Sequence, residues 1–407
     1  MKPFEEAVEA ASVAEEIPGA VLLAADISGN FKYGKAFGKR SVRAGADQSP
    51  LRLDSVMWMA SCTKVVTAVA VLQCCERGLL RLDEPIYDIL PEFKDIAVLK
   101  GFNEDGSPCL EKHTKTITLR HLLNHSSGIA YDEWHPLLLG WHKWHRTAPS
   151  RANVVEARHS YPLVFEPGES WTYGAGVDWA GVAVERVNEG MPLQRYFAEN
   201  IFCRLGVVDV VFSSHMHTRP DMQARVVDMS ERNPETPERV VASSAPAYQN
   251  DRGGCLGGLG LFATPVDYLK IIGGLLATGE EQKLLKAESI EEFFRPCLSE
   301  AAKKALNDLL SALEVYRIIM GNMPASVTKD WGLGGIINEE DVPGGRKAGT
   351  MTWSGLPNHI WFADRKSSLC GLYAGQLFPP GDVQVGKLAS GFEQGVYELY
   401  SKSSPTP

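Results

Sequence analysis

The chain has 407 residues, 44% of them hydrophobic and 22% charged. This is ordinary globular usage with enough apolar material for a large core, which excludes disordered, collagenous and coiled-coil readings. Lysine and arginine number 41 against 50 aspartate and glutamate, a net charge of -9, with no basic run; neither a nucleic-acid partner nor a membrane partner is expected.

The eight cysteines (Cys62, Cys74, Cys75, Cys109, Cys203, Cys255, Cys297 and Cys370) are scattered and form no C-x-x-C pair. That pattern fits neither a zinc ribbon nor a thioredoxin motif. The opening Met1-Lys2-Pro3-Phe4-Glu5-Glu6 has no signal-peptide character, and no apolar run reaches 18 residues. The expectation is a cytoplasmic protein with free thiols, in which the sequon Asn124-His125-Ser126 is silent.

In chain order, residues 3–16 read as an amphipathic helix, and 20–25 and 31–37 as strands joined by the turn cluster Ser28-Gly29-Asn30. A helix is expected from Ser61 to about Arg77, stopped by Gly78. Its run 65–72 is almost wholly apolar, so the helix should be buried on most sides. The middle of the chain holds most of the histidines and several short helical patterns, clearest at 177–188 and 193–201. Thr264-Pro265 opens another helix, to about Leu276.

The last third reads as successive strands at 331–337, 347–353, 359–363 and 369–377, then a helix over 385–400 and a frayed tail, 403–407. Short turns between the strands imply antiparallel neighbours. Strands at both ends around a helical middle give an α/β (α+β) fold: one antiparallel sheet flanked by helices. Residues 1–95 plus 255–407 would form this discontinuous sheet domain, and 96–254 a helical insert over a cleft.

Three stretches carry chemistry. In Ser61-Cys62-Thr63-Lys64, residues three apart share a helix face, so the serine hydroxyl and lysine amine can meet. A desolvated lysine can serve as the base that a serine nucleophile requires. The helix start adds N–H groups suited to an oxyanion. Read alone, S-x-x-K is also what a helix cap followed by a solvated lysine looks like, although Lys64 directly precedes an apolar run. In Trp171-Thr172-Tyr173-Gly174-Ala175-Gly176, small residues let a tyrosine be pushed toward another site. A core tyrosine fits equally. In Lys347–Gly355, a strand ending in Trp353-Ser354-Gly355 can offer a backbone N–H as a second oxyanion donor beside that of Ser61. A plain strand end fits too.

Other patterns lead nowhere. Gly29 to Lys35 spells G-x-x-x-x-G-K but is followed by Ala36 and spans a predicted hairpin. There is no G-x-S-x-G elbow. His121 and His125 lack an accompanying H-E-x-x-H and read as a helix end, not a metal site. The aromatic segments Tyr131–His135 and Trp141–His145 read either as walls of an apolar pocket, through Trp134 and Trp141, or as packing of the insert onto the sheet.

Together the three stretches resemble the serine β-lactamase and penicillin-binding-protein superfamily, in its class C-like esterase and acyltransferase branch. Leu119–Gly128, Asp178-Trp179-Ala180-Gly181 and Gly257–Phe262 fit that branch. The chain is more closely similar to the fungal lovastatin acyltransferase (simvastatin synthase) group, through Arg219-Pro220-Asp221-Met222, Gly332–Ile337 and Pro357-Asn358. The resemblance implies a β-lactamase/transpeptidase-like fold, with Ser61 as nucleophile, Lys64 as its base and Tyr173 as the proton-relaying phenol. It implies Ser354, Gly355 and Trp353 around the oxyanion and substrate, with no cofactor and no metal. It further implies an acyl thioester or ester donor, a carrier-protein domain among the admissible ones, and a lipophilic alcohol acceptor, with hydrolysis as the alternative. Ala175 stands where the β-lactamase branch has Asn, and Trp353 replaces a cationic residue, so β-lactam hydrolysis is not expected. Pro380 follows Gln376-Leu377-Phe378-Pro379 where the acyltransferase group has Trp.

Overall fold

The computed structural model describes residues 1–244, 253–277 and 284–403; positions 404–407 of the expected frayed tail lie outside them. A seven-stranded sheet forms the centre. Its spatial order is Lys329–Trp331, Ile336–Asn338, Met351–Gly355, His359–Asp364, Leu369–Ala374, Gly19–Asp26 and Lys32–Gly38. Every neighbouring pair is antiparallel. The first strand of the chain thus lies beside the last of the sheet, with Leu22 opposite Tyr373.

The strand Gly19–Asp26 reads as an unbroken apolar run because both faces are covered. Successive side chains alternate: Val21 and Leu23 join the core under the central helices, while Ala20, Leu22 and Ala24 join a second core beneath the terminal helices. The same split separates Trp361 and Ala363 from Ile360 and Phe362. The outer layer consists of Pro3–Val13 and Val383–Ser403, which meet through Phe4 and Phe392 at 6.0 Å between ring centroids.

On the other face, Thr63–Glu76 is buried from Thr63 to Cys74 and packs against Gly176–Val187. Gly78, at φ 75°, ends it by donating to Cys75 O at 2.9 Å. Between these two helices in the chain lies a hairpin, Ala97–Phe102 with Pro108–Lys112.

Four expected elements differ. The strand expected at 347–353 begins only at Met351, after a turn in which Thr350 N–H donates to Lys347 O at 3.0 Å. The N-terminal helix stops at Val13, and Glu15 at φ 58° turns the chain out of it. The stretch 331–337 is two short strands, because the chain reverses through Gly332-Leu333-Gly334-Gly335, with Gly332 N–H donating to Gly335 O at 2.9 Å. A Cβ on Gly334 would lie 2.3 Å from the Phe293 ring. The strand expected at 369–377 ends at Ala374; Leu377–Phe378 instead pairs, parallel, with residues Ser230 and Glu231.

Candidate active site

The buried helix Thr63–Glu76 is preceded by one short turn, Ala60–Cys62, and Ser61 sits in that turn. Ala60 holds φ at 47°, a left-handed backbone that costs a residue with a Cβ about 1–2 kcal/mol. The surroundings hold it there. Thr63 Oγ1 donates to Ala60 O at 2.7 Å and accepts from Leu261 N–H at 3.0 Å, while Met59 N–H donates to Leu261 O at 2.8 Å. The sheet closes from the other side. A Cβ on Gly355 would come 2.6 Å from Met59 O and 3.1 Å from Cys62 Sγ, so only glycine lets this strand end lie against the serine turn.

Lys64 is 3% exposed. Its Nζ lies 3.3 Å from Ser61 Oγ, 3.0 Å from the Tyr131 hydroxyl and 2.7 Å from Gly258 O. Burial pulls its pKa down to about 8, against the opposing pull of the Asp178 carboxylate. At neutral pH a usable fraction is therefore the free amine, which can accept a hydroxyl proton.

Tyr173 arrives on the loop before Gly176–Val187. Gly174 makes that approach possible, since a Cβ there would sit 1.9 Å from Ile129 O. Gly174 N–H donates to His125 Nδ1 at 3.4 Å, and the His125 ring lies 4.8 Å from that of Tyr173. Burial holds His125 well below its usual range, so it stays neutral. The Tyr173 hydroxyl completes no hydrogen bond in this structure; the Ser61 hydroxyl and the Trp353 side chain are the polar groups that face it. Lys64 Nζ stands 4.8 Å from the centre of the Tyr173 ring. Burial raises the Tyr173 phenol above its normal range, so it remains protonated and Lys64 is the better base of the two.

Ser61 and Tyr173 open onto a cleft of about 900 Å³. Its walls include Trp134, Tyr173, Trp353, Leu356 and Ile319, together with Ser61. Trp353 packs on Tyr173 at 5.0 Å and on Trp331 at 4.6 Å. Trp134, 54% exposed, lies nearly parallel to Tyr173 at 6.5 Å. Ser354 also lines the cleft, but its hydroxyl is turned to Ile319 O, leaving only its main chain for an oxyanion role. Asn358 ties in the wall carrying Pro380: its Nδ2 donates to Leu377 O and Pro379 O, both at 2.8 Å, and its Oδ1 accepts from Gly381 N–H at 2.9 Å.

The structure thus gathers Ser61, Lys64, Tyr173, Trp353, Ser354, Gly355 and Trp134. Trp141 is not among them. It packs with Leu99, Leu138 and Val164 behind the cleft, its ring 4.0 Å from His145, because its helix turns that face toward the hairpin. The pocket wall expected from Trp141 is corrected to a packing residue.

Sequence reasoning passed over three groups: the Tyr131 hydroxyl, Asp178 and the Gly258 main chain. Gly258 N–H donates to Asp178 Oδ1 at 2.8 Å, and Tyr131 OH faces Asp178 Oδ2 at 3.5 Å. One signal was available. Asp178 lies in the apolar helix Gly176–Val187 as Lys64 lies in its own, and two buried opposite charges call for each other. Among the described residues no cluster of three or more His, Cys, Asp or Glu side chains is placed to hold a metal, and no helix is long and apolar enough to cross a membrane.

Comparison with known proteins agrees with this geometry. The protein-family description Beta-lactamase matches residues 4–390. The chain is 37% identical over 403 residues to monacolin J acid methylbutanoyltransferase of Aspergillus terreus, covering 98% of this chain and 96% of the relative. It is 39% identical over 390 residues to lovastatin esterase of Penicillium rubens, covering 95% and 96%. Unliganded simvastatin synthase from Aspergillus terreus, as its selenomethionyl derivative, superposes with a TM-score of 0.89 at 36% identity over 98% of both chains. With a serine, a buried lysine and a tyrosine meeting at the head of a buried helix, and with matches spanning nearly its whole length, this chain belongs to the beta-lactamase family.

Proposed function

We propose that the protein is a serine acyltransferase that carries an acyl group as an ester on Ser61 and delivers it to a hydroxyl of a lipophilic, polyketide-like acceptor. The observation that supports this most is the setting of Ser61: its hydroxyl is 3.3 Å from a desolvated amine and borders a largely aromatic and aliphatic cleft of about 900 Å³. Two of the relatives are a monacolin J acid methylbutanoyltransferase and a lovastatin esterase.

In this reading Ser61 Oγ attacks the carbonyl carbon of a thioester or ester donor while Lys64 takes the hydroxyl proton. The carbonyl oxygen becomes an oxyanion, for which the main-chain N–H groups of Ser61 and of the Ser354-Gly355 strand end are the donors at hand. Collapse breaks the bond to the leaving group, which departs with the proton held by Lys64. The acceptor hydroxyl then attacks the Ser61 ester, gives its proton to Lys64, and Ser61 leaves as the alcohol. Tyr173 relays the proton at Ser61 as a phenol. Trp353 and Trp134 shape the apolar cleft, and Pro380 alters the wall where the acceptor would rest. A carrier-protein domain is one donor that fits the scheme. Eight free cysteines support a reducing, cytoplasmic setting.

Hydrolysis uses the same groups, with water replacing the alcohol, and the 39% identity to lovastatin esterase favours it as the second reading. Bulk water is outcompeted only by a bound, aligned alcohol, for which effective molarities reach about 10⁵–10⁸ M. The test is the partition of one pre-formed acyl-enzyme between free acid and ester across polycyclic alcohols. Ester as the main product with at least one alcohol is expected. Exclusive release of free acid at the turnover rate would make the protein an esterase.

A further inference from the structure

We infer that Tyr131 and Asp178 form a positioning pair that aims the lone pair of Lys64 at Ser61. The inference rests on the proposed roles of Ser61 and Lys64 and asks how the amine is held.

A neutral lysine amine has two N–H bonds and one lone pair. Three groups surround Nζ: Gly258 O at 2.7 Å, the Tyr131 oxygen at 3.0 Å and Ser61 Oγ at 3.3 Å. The Gly258 carbonyl can only accept, so it fixes one N–H. The second contact decides the chemistry. If Tyr131 accepts the other N–H, the lone pair is left facing Ser61. If Tyr131 donates its O–H to nitrogen, the lone pair is occupied and the Ser61 proton has no base.

The next contact selects the first arrangement. Tyr131 OH faces Asp178 Oδ2 at 3.5 Å, and a carboxylate only accepts. The phenolic proton therefore points to Asp178, and the phenolic oxygen is free to accept from Lys64. Burial and the Asp178 charge hold Tyr131 protonated, so this direction persists. Asp178 is in turn fixed through Oδ1 by Gly258 N–H at 2.8 Å. Gly258 thus anchors both ends, its carbonyl on Lys64 and its N–H on Asp178. A Cβ at this position would lie 2.2 Å from Asp178 Oδ2. Ala175, beside Tyr173, offers no side-chain hydrogen-bonding group that could share the task.

The other titratable groups influencing this amine do not compete. Cys62 is pushed up by burial and stays a thiol, Tyr173 stays a phenol, and His125 and His159 stay neutral, the latter pulled down to about 4 by burial. Asp178 is the carboxylate acting on the amine.

The experiment is pre-steady-state acylation of the full-length protein by a p-nitrophenyl ester between pH 6 and 10, with Tyr131→Phe and Asp178→Asn beside the parent. Tyr131→Phe deletes one oxygen and should keep the melting temperature near that of the parent. The expected result is a plateau rate lower by about 10²-fold, the scale of a misplaced reacting group, with KM little changed. The rising limb should also move to lower pH, because the ammonium loses an acceptor. Asp178→Asn should move the limb further in the same direction, because the nearby negative charge is lost. Parent-like rate and limb in folded Tyr131→Phe would overturn the inference, as would a slower rate with an unmoved limb, which marks mere packing. Failure of the parent to acylate Ser61 at all would instead remove the reading on which the inference rests.

Discussion

Lys64 and Lys329 are buried almost equally, 3% and 2% exposed, and both lie in regular structure. Burial also lowers the pKa of both. Their partners separate them. Lys329 Nζ donates to Pro324 O at 2.6 Å and to Ala325 O at 3.4 Å, two main-chain acceptors at the sheet edge. Lys64 has one such carbonyl, Gly258 O, and two hydroxyls, Ser61 and Tyr131. Carbonyls can only fix a lysine in place, whereas a hydroxyl can give it a proton. A buried lysine is thus an anchor or a base according to what surrounds it.

That comparison can be broken most severely by exchanging the two residues' fates. Lys64→Ala should lower kcat on the order of 10²–10⁴, the usual scale for a general acid–base group. Lys329→Met should leave kcat intact and cost about 1–3 kcal/mol of stability, because the carbonyls it served lose their donor. Steady-state kinetics beside thermal melts read both. A large kcat loss from Lys329→Met would erase the distinction.

The pH profile sharpens it. Only the neutral amine accepts a proton, and burial places the Lys64 pKa at about 8. Acylation should therefore rise with pH through about 8 and level off above it. The limb should persist in Lys329→Met. A profile flat from pH 6 to 10 in the parent would remove Lys64 as the base.

A smaller contrast separates the two tryptophans that looked alike in sequence. Trp134 stacks over Tyr173 at the cleft, and Trp141 packs behind it. Trp134→Ala should weaken apparent acceptor affinity roughly two- to ten-fold, in line with about 0.5–1.5 kcal/mol for an aromatic contact. Trp141→Ala should leave it unchanged. Equal effects on acceptor KM would place both at the site.

What could be read in advance followed from short-range physics. Lys64 stood out because it opens an apolar helical run, and Gly78 ends that helix as a left-handed cap should. The strand Gly19–Asp26 was legible from its apolar run, and the closing helix from its spacing. What could not be read depends on topology. Tyr131 and Gly258 lie 67 and 194 positions from Lys64 and touch it, and Asp178, 114 positions away, touches Tyr131 and Gly258, only through the tertiary fold. The reversal at Gly332–Gly335 was missed because apolar residues on both sides masked a turn made by glycines. Trp141 stayed open between pocket wall and packing because periodicity shows that a helix has an apolar face, not which neighbour covers it.

The central claim is that Ser61 bears the acyl group, and peptide mapping by mass spectrometry after a brief exposure to an acyl thioester tests it directly. The account predicts a single acyl adduct on the peptide containing Ser61, absent from Ser61→Ala, whose turnover should fall on the order of 10⁶-fold, as when a serine nucleophile is removed. An adduct on one of the eight cysteines, with Ser61→Ala still turning over, would contradict it.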